Sequence, residues 1–199
     1  MPVTKLVIAT KNAGKVYEIK QILNNSAVQL ISLSELPDIP DIEETGSTFE
    51  ENALLKAKAV FEHFGHPTIS DDSGLAVDAL NSAPGIYSAR FAGDEANDDK
   101  NIQKLLLELK KLTPPYTAKF ICATVYYDGT NKISASGEMP GQICSTPHGT
   151  NGFGYDPVFM PTGLEKTTAQ LTDREKNAIS HRGKALRLLV EKLHMQGII

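Results

Sequence analysis

The sequence predicts an α/β protein built on a mixed β-sheet. Two observations carry that reading. Short apolar runs alternate with amphipathic helical stretches through the first half of the chain, and a long hairpin pattern follows, which an all-parallel sheet does not contain. One unit over residues 1–199 is expected, because no repeat, low-complexity tract or Gly/Ser linker interrupts the pattern.

Lys5–Ala9 reads as a short buried strand, and Lys15–Asn24 as a helix with Val16, Ile19, Ile22 and Leu23 at helical spacing. Gln29–Leu33 is a second strand, and the Pro- and Asp-rich stretch Leu36–Gly46 is loop. Ser47-Thr48-Phe49-Glu50-Glu51 offers two overlapping capping boxes, Ser47 with Glu50 or Thr48 with Glu51. The helix they open carries Phe49, Ala53, Ala57, Val60 and Phe64 on one face and stops near Gly65. Pro67–Ser70 and Leu75–Leu80 read as two separate strands, the second alternating Leu75, Val77 and Ala79. Asp98–Leu112 is a helix with Ile102, Leu105, Leu106, Leu109 and Leu112 inward. Ala118–Tyr127 and Lys132–Ser136 pair as a hairpin near Asp128-Gly129. Val158–Met160 is a brief strand, and Thr172 with Glu175 forms another capping box. Ser180 caps a last helix whose stripe is Leu186, Leu189, Val190 and Leu193.

Apolar and charged fractions of 41% and 22% are those of an ordinary globular chain. A formal charge of -4 argues against a broad nucleic-acid-binding face, but leaves room for a few basic residues gathered around a triphosphate. No apolar run approaches the roughly 18 residues of a membrane span, and the N-terminus lacks a basic leader. Cys122 and Cys144 make neither a CxxC pair nor a disulfide framework. The expectation is a cytoplasmic protein that binds neither nucleic acid nor membrane.

Several regions could carry chemistry. Thr10-Lys11-Asn12-Ala13-Gly14-Lys15 joins a strand to a helix, where backbone N–H groups and a lysine can meet phosphate oxygens. The same segment also reads as a plain turn with an exposed lysine. It is not a Walker A loop, because Val16 stands where a Ser or Thr would hold Mg²⁺. Asp71-Asp72-Ser73-Gly74 is expected at the end of a short strand, with Glu43-Glu44-Thr45-Gly46 in the loop before the second helix. Carboxylates suit Mg²⁺, although Asp-Ser-Gly also suits a turn. Asp94, Glu95, Asp98 and Asp99 form a rival cluster, read instead as helix N-terminal charge. Lys56 lies inside an amphipathic helix, either solvated or within reach of phosphate. Gly149–Pro157 packs Phe153 and Tyr155 among three glycines, which suits a base pocket, and Arg182 opens the last helix against its dipole.

Taken in order, Ala9-Thr10…Asn12…Gly14-Lys15, Glu44-Thr45-Gly46, Glu51-Asn52-Ala53, Lys56-Ala57, Asp71-Asp72-Ser73-Gly74-Leu75, Ala83–Arg90, Gly152–Pro157 and Ile179–Gly183 resemble the inosine triphosphate pyrophosphatase family. The resemblance spans nearly the whole chain. Lys11 and Asn151 stand where some members carry glycine.

The resemblance implies a long curved mixed sheet flanked by helices, two lobes around a central cleft, and a homodimer. It also implies hydrolysis of ITP, dITP and XTP to the monophosphate plus pyrophosphate. By the same resemblance Thr10, Lys11, Asn12, Ala13, Gly14 and Lys15 bind the triphosphate, and Glu44 and Asp72 hold Mg²⁺. Asp72 is the proposed general base. Ser73, Phe153, Gly154, Tyr155, Asp156, Lys176, His181 and Arg182 contact substrate, with Lys56 and Asp71 in support. Asp72 either takes a proton itself or serves only as a ligand; the sequence permits both. A pyrophosphatase of related architecture for modified pyrimidine or other altered nucleotides, and a sensor that binds triphosphate without turnover, are the competing readings. A sensor needs the lysine-bearing loop but not three carboxylates beside phosphate.

Overall fold

A computed structural model describes residues 5–23 and 28–199, so the expected helix end at Asn24 lies outside the described residues. Strand β1 is Lys5–Ile8, followed by helix α1 (Ala13–Ile22) and strand β2 (Gln29–Ser32). Helix α2 (Phe49–Phe64) uses the second of the two expected capping boxes, Thr48 with Glu51. Strand β3 (Thr68–Val77), helix α3 (Asp98–Leu109), and strands β4 (Thr117–Tyr127) and β5 (Lys132–Ile143) come next. Strand β6 (Phe159–Pro161) and helices α4 (Asp173–Ile179) and α5 (His181–Met195) complete the chain. Among the described residues six strands form one sheet in the order β2-β1-β3-β4-β5-β6. The β1 pairings with β2 and β3 are parallel and β5–β6 is antiparallel, so the sheet is mixed, as expected.

The chain divides into two compact units. The first comprises the chain up to Asp72 with Cys122–Gly137 and Arg182–Ile199, and the second comprises Ser73–Ile121 with Glu138–His181. In the first unit both faces of β1 are covered. Leu6 and Ile8 pack with Ile19 of α1 and with Leu186, Leu189 and Leu193 of α5. Val7 and Ala9 pack with Val60 of α2. A strand covered on both faces reads as a continuous apolar run, which is how β1 reads. In the second unit Leu75, Val77, Phe120, Met139, Tyr155 and Phe159 form a core with Ile102, Leu105 and Leu109 of α3.

Four expectations need correction. The two strands expected at Pro67–Ser70 and Leu75–Leu80 are one continuous strand, β3, which runs through Asp71-Asp72-Ser73-Gly74. The aspartates are therefore mid-strand residues, because buried cations from distant parts of the chain replace the water that a turn would have offered them. Ala79 lies in a short 3-10 turn after the strand and is exposed. Leu112 lies beyond the end of α3 and is 39% exposed rather than inward. Strand β5 runs on to Ile143, with Gly137, Met139, Gly141 and Ile143 continuing the buried alternation. The two glycines hide that alternation from a hydrophobicity count.

Candidate functional site

In the first unit the alternation of β3 sorts its two aspartates onto opposite faces. Asp71 shares the face of Ile69, which packs with α1 and α5. Asp72 shares the face of Ser70, whose hydroxyl donates to the Ala53 carbonyl of α2 at 2.5 Å.

On the first face Asp71 Oδ2 accepts from Arg182 Nε and Nη2, each at 3.1 Å, and meets Lys15 Nζ at 3.1 Å. Arg182 Nη1 donates to Glu18 of α1. Arg182, Glu18 and Asp71 are all buried. Burial alone would raise the Asp71 pKa, but Lys15, Arg182 and Lys56 outweigh it and hold the carboxyl well below its usual range.

On the opposite face Lys56 Nζ donates to Glu44 Oε1 at 2.7 Å and to Asp72 Oδ1 at 3.4 Å. Asn52 Nδ2 donates to Asp72 Oδ2 at 3.2 Å. The Asp72 carboxyl is raised from its ordinary value, first by burial and then by Glu44 and Asp71, against the pull of Lys56 and Lys15. Burial lowers the Lys56 pKa, but Asp72, Asp71 and Glu44 more than offset it and leave the ammonium raised. Glu44 and Asp72, expected together, are brought together on one ammonium.

The Thr10–Lys15 loop holds its shape through two of its own side chains. Thr10 Oγ1 accepts from the Asn12 N–H at 3.2 Å, and Asn12 Oδ1 caps α1 by accepting from the Lys15 N–H at 3.0 Å. Helix α1 therefore starts at Ala13, inside the loop, and its first turn carries no acid. Lys11 reaches the exposed Asp41 at 2.7 Å.

In the second unit the glycine-rich loop folds around an ion pair. Lys176 Nζ meets Asp156 Oδ2 at 2.5 Å, and the same oxygen accepts from the Phe153 N–H at 3.0 Å. Lys176 Nζ also lies 5.0 Å from the Phe153 ring centroid, a cation–π distance. A Cβ at Gly152, whose φ is 76°, would stand 2.1 Å from Asp156 Oδ2, so only glycine fits there. The Gly154 N–H donates to Asp98 Oδ2 at 2.6 Å. Of the two aromatics expected to line a base pocket, Phe153 is half-buried and Tyr155 is a core residue whose hydroxyl donates to the Ser88 carbonyl at 2.9 Å. His181 is buried with its ring stacked on Phe120, centroids 4.8 Å apart. Ser73 is half-buried in β3.

A family model described as the Ham1 family matches residues 6–192. The chain belongs to the Ham1 family. A dITP/XTP pyrophosphatase of Geobacter sulfurreducens is 48% identical over 98% of this chain and 99% of its own length. The structure of a HAM1 protein from Coxiella burnetii superposes with a TM-score of 0.86 at 40% identity, covering 98% of this chain and 100% of that one. The Staphylococcus aureus Ham1 protein gives a TM-score of 0.85 at 44% identity, covering 96% and 99%. The mixed sheet flanked by helices is thus the Ham1 fold.

Three residues of this Ham1 chain belong to the clusters although the sequence assigns them no role there: Glu18 carries no motif, Asn52 stands only within one, and Asp98 reads only as helix-terminal charge. Glu18 is a charged residue on the buried face of α1, a signal that periodicity discards as a defect. Asn52 sits beside Ala53 on the buried face of α2. Asp98 does lie in the first turn of α3, as helix-terminal charge predicts, yet it also holds Gly154. Neither Lys11 nor Asn151 has a positive φ, so neither position requires the glycine found in some members. Asn151 instead donates from its side chain to the Leu171 carbonyl at 2.9 Å.

Proposed function

We propose that this Ham1 chain hydrolyses the α–β phosphoanhydride of ITP, dITP and XTP, releasing the monophosphate and pyrophosphate with the help of Mg²⁺. The observation that carries the reading is the pair Glu44 and Asp72 on one ammonium, beside the lysine-bearing start of α1. The likeness to the Geobacter dITP/XTP pyrophosphatase supports the substrate class.

The donor set fits Mg²⁺. Two carboxylates from different elements converge on one point, at 2.7 and 3.4 Å from Lys56 Nζ, and Mg²⁺ takes one or two carboxylates plus water and phosphate oxygens. The local charges agree. Lys15, Lys56 and Arg182 face Glu18, Glu44, Asp71 and Asp72, which leaves an excess of one negative charge before a polyanion arrives. When bound, the cation supplies charge neutralisation on the phosphates and a more acidic water.

The chain's own residues do the rest. The first turn of α1 and Lys15 bind phosphate oxygens, and Lys56 adds a second positive charge. Asp72, whose proton affinity is raised by burial, accepts the proton of the attacking water. Phe153 offers a ring face to the base, and Lys176, held by Asp156, lies over the ring. By the resemblance Gly154, His181 and Ser73 also contact substrate, and Tyr155, whose ring is core, does so only through its backbone. Arg182 holds Asp71 through Nε and Nη2 and donates from Nη1 to Glu18, which makes it a support for the buried carboxylates.

Two further readings stand beside it: a homodimer, which rests on the resemblance and which sedimentation at micromolar concentration tests, and a cytoplasmic location, which rests on the sequence's lack of a basic leader, membrane span and disulfide framework. Both cysteines are free thiols, and among the described residues no helix is long and apolar enough to cross a membrane. The function is tested by comparing ITP, dITP and XTP with ATP, GTP and altered pyrimidine nucleotides, with Mg²⁺ and with EDTA. Turnover of the first three that EDTA abolishes is expected. Equal turnover of ATP and ITP contradicts the reading.

A further inference from the structure

We propose that Asn52 is a positioning residue that fixes Glu44 and Asp72 relative to one another for the metal. The inference rests on the reading that these two carboxylates hold a divalent cation. Asn52 lies wholly inside the first unit, with 0% exposure, on the face of α2 where Ala53 and Ala57 pack. An apolar residue would serve packing better at such a place, and a buried carboxamide is tolerated only when its polar ends are paired.

Both ends are paired. Asn52 Oδ1 accepts from the Gly46 N–H at 2.8 Å, and Nδ2 donates to Asp72 Oδ2 at 3.2 Å. The first bond settles the orientation of the amide. A backbone N–H can only donate, so the oxygen must face Gly46 and the nitrogen must face Asp72. Gly46 lies two residues beyond Glu44 in the same loop. One rigid amide therefore ties the Glu44 loop to one oxygen of Asp72, and the other oxygen, Oδ1, stays turned toward Lys56 and Glu44.

No other side chain of this size makes the same connection. Asp offers no donor to Asp72, and Leu offers neither bond. The loop is built for the contact as well: a Cβ on Gly46 would stand 2.7 Å from Asn52 Oδ1. Residues that orient metal ligands typically cost about 10–100-fold in metal affinity when removed.

The test uses Mn²⁺ as the probe, with free Mn²⁺ followed by electron paramagnetic resonance and no nucleotide present. Asn52→Ala should bind Mn²⁺ about 10–100-fold more weakly than the unaltered protein. Val60→Ala, which loosens the same helix without touching Glu44 or Asp72, should bind as the unaltered protein does. Glu44→Gln separates the two levels of the argument. If it binds Mn²⁺ normally, the metal reading fails and takes the inference with it. If it binds weakly while folded Asn52→Ala binds normally, the inference alone is overturned. A loss in Val60→Ala equal to that in Asn52→Ala also overturns it, because general loosening would then suffice. Should Asn52→Ala not fold, Mg²⁺ titration of the unaltered protein decides by nuclear magnetic resonance. The Asn52 side-chain amide and the Gly46 amide must shift together with one midpoint, and invariant resonances overturn the proposal.

Discussion

Asp71 and Asp72 are adjacent in sequence, yet only at Asp71 should replacement with asparagine cost stability. Asp71 is completely buried, and one of its oxygens serves Arg182 twice and Lys15 once, each at 3.1 Å. Asp71→Asn removes the charge and leaves a buried guanidinium with Glu18 as its remaining carboxylate. Breaking one side of a buried ion pair costs roughly 3–5 kcal/mol. With a urea slope of about 2–3 kcal/mol per molar for a chain of this size, the unfolding midpoint falls by roughly 1–2.5 M. The sign follows from the lowered carboxyl of Asp71. Its contribution is fully present above the ordinary aspartate pKa of about 3.9 and is lost as pH falls through the lowered folded value.

Asp72 runs the other way. Its pKa is raised, chiefly by burial, so the ionised form weighs against folding, increasingly as pH rises past the ordinary value. Asp72→Asn should therefore unfold at or above the midpoint of the unaltered protein at pH 7, while ITP turnover drops by roughly 10²–10⁴-fold. The assay is urea denaturation at pH 7 followed by circular dichroism, with turnover measured on the same samples. Equal losses of stability in the two variants, or the larger loss in Asp72→Asn, would refute the division of labour between the two faces of β3.

Three further outcomes follow from the geometry. Lys15→Ala should raise the KM for ITP about tenfold or more, because one charge-assisted hydrogen bond contributes about 1.5–3 kcal/mol, and Arg182 remains to hold Asp71; an unchanged KM reduces the loop to a turn. Asp98→Ala should weaken discrimination of ITP over GTP by about 3–10-fold through the lost 2.6 Å bond to Gly154, with Asp98→Asn partly restoring it, and steady-state kinetics on both nucleotides decides. Arg182→Ala should lower the urea midpoint before it alters base preference, since its partners Asp71 and Glu18 are buried carboxylates; a variant of normal stability with relaxed base choice would instead make Arg182 a direct base contact.

Much of the fold was legible because local signals agreed. The Thr48/Glu51 and Thr172/Glu175 capping boxes mark α2 and α4, and the apolar stripe Leu186, Leu189, Leu193 marks α5. What stayed hidden depends on partners far apart in the chain. Asp71 could not be read as a mid-strand residue, because its neutralising Arg182 is 111 positions away. Strand β5 looked shorter because buried glycines carry no hydrophobic mark. The site was legible as an ordered series of motifs, but not as two faces of one strand. Tyr155 shows the limit of composition: an aromatic in a glycine-rich loop suggested a base pocket, and its ring is core. Asn52 shows the converse, a polar residue on a buried helical face whose meaning lies in the Gly46 and Asp72 it connects.

Which bond is cut is read from the identity of the first products. Purified protein, ITP and Mg²⁺ are combined, and nucleotides and phosphates are resolved by ion-exchange chromatography at the earliest measurable time points. IMP and pyrophosphate in equal amounts are expected, with no IDP at any time. IDP and orthophosphate as the first products would contradict α–β cleavage.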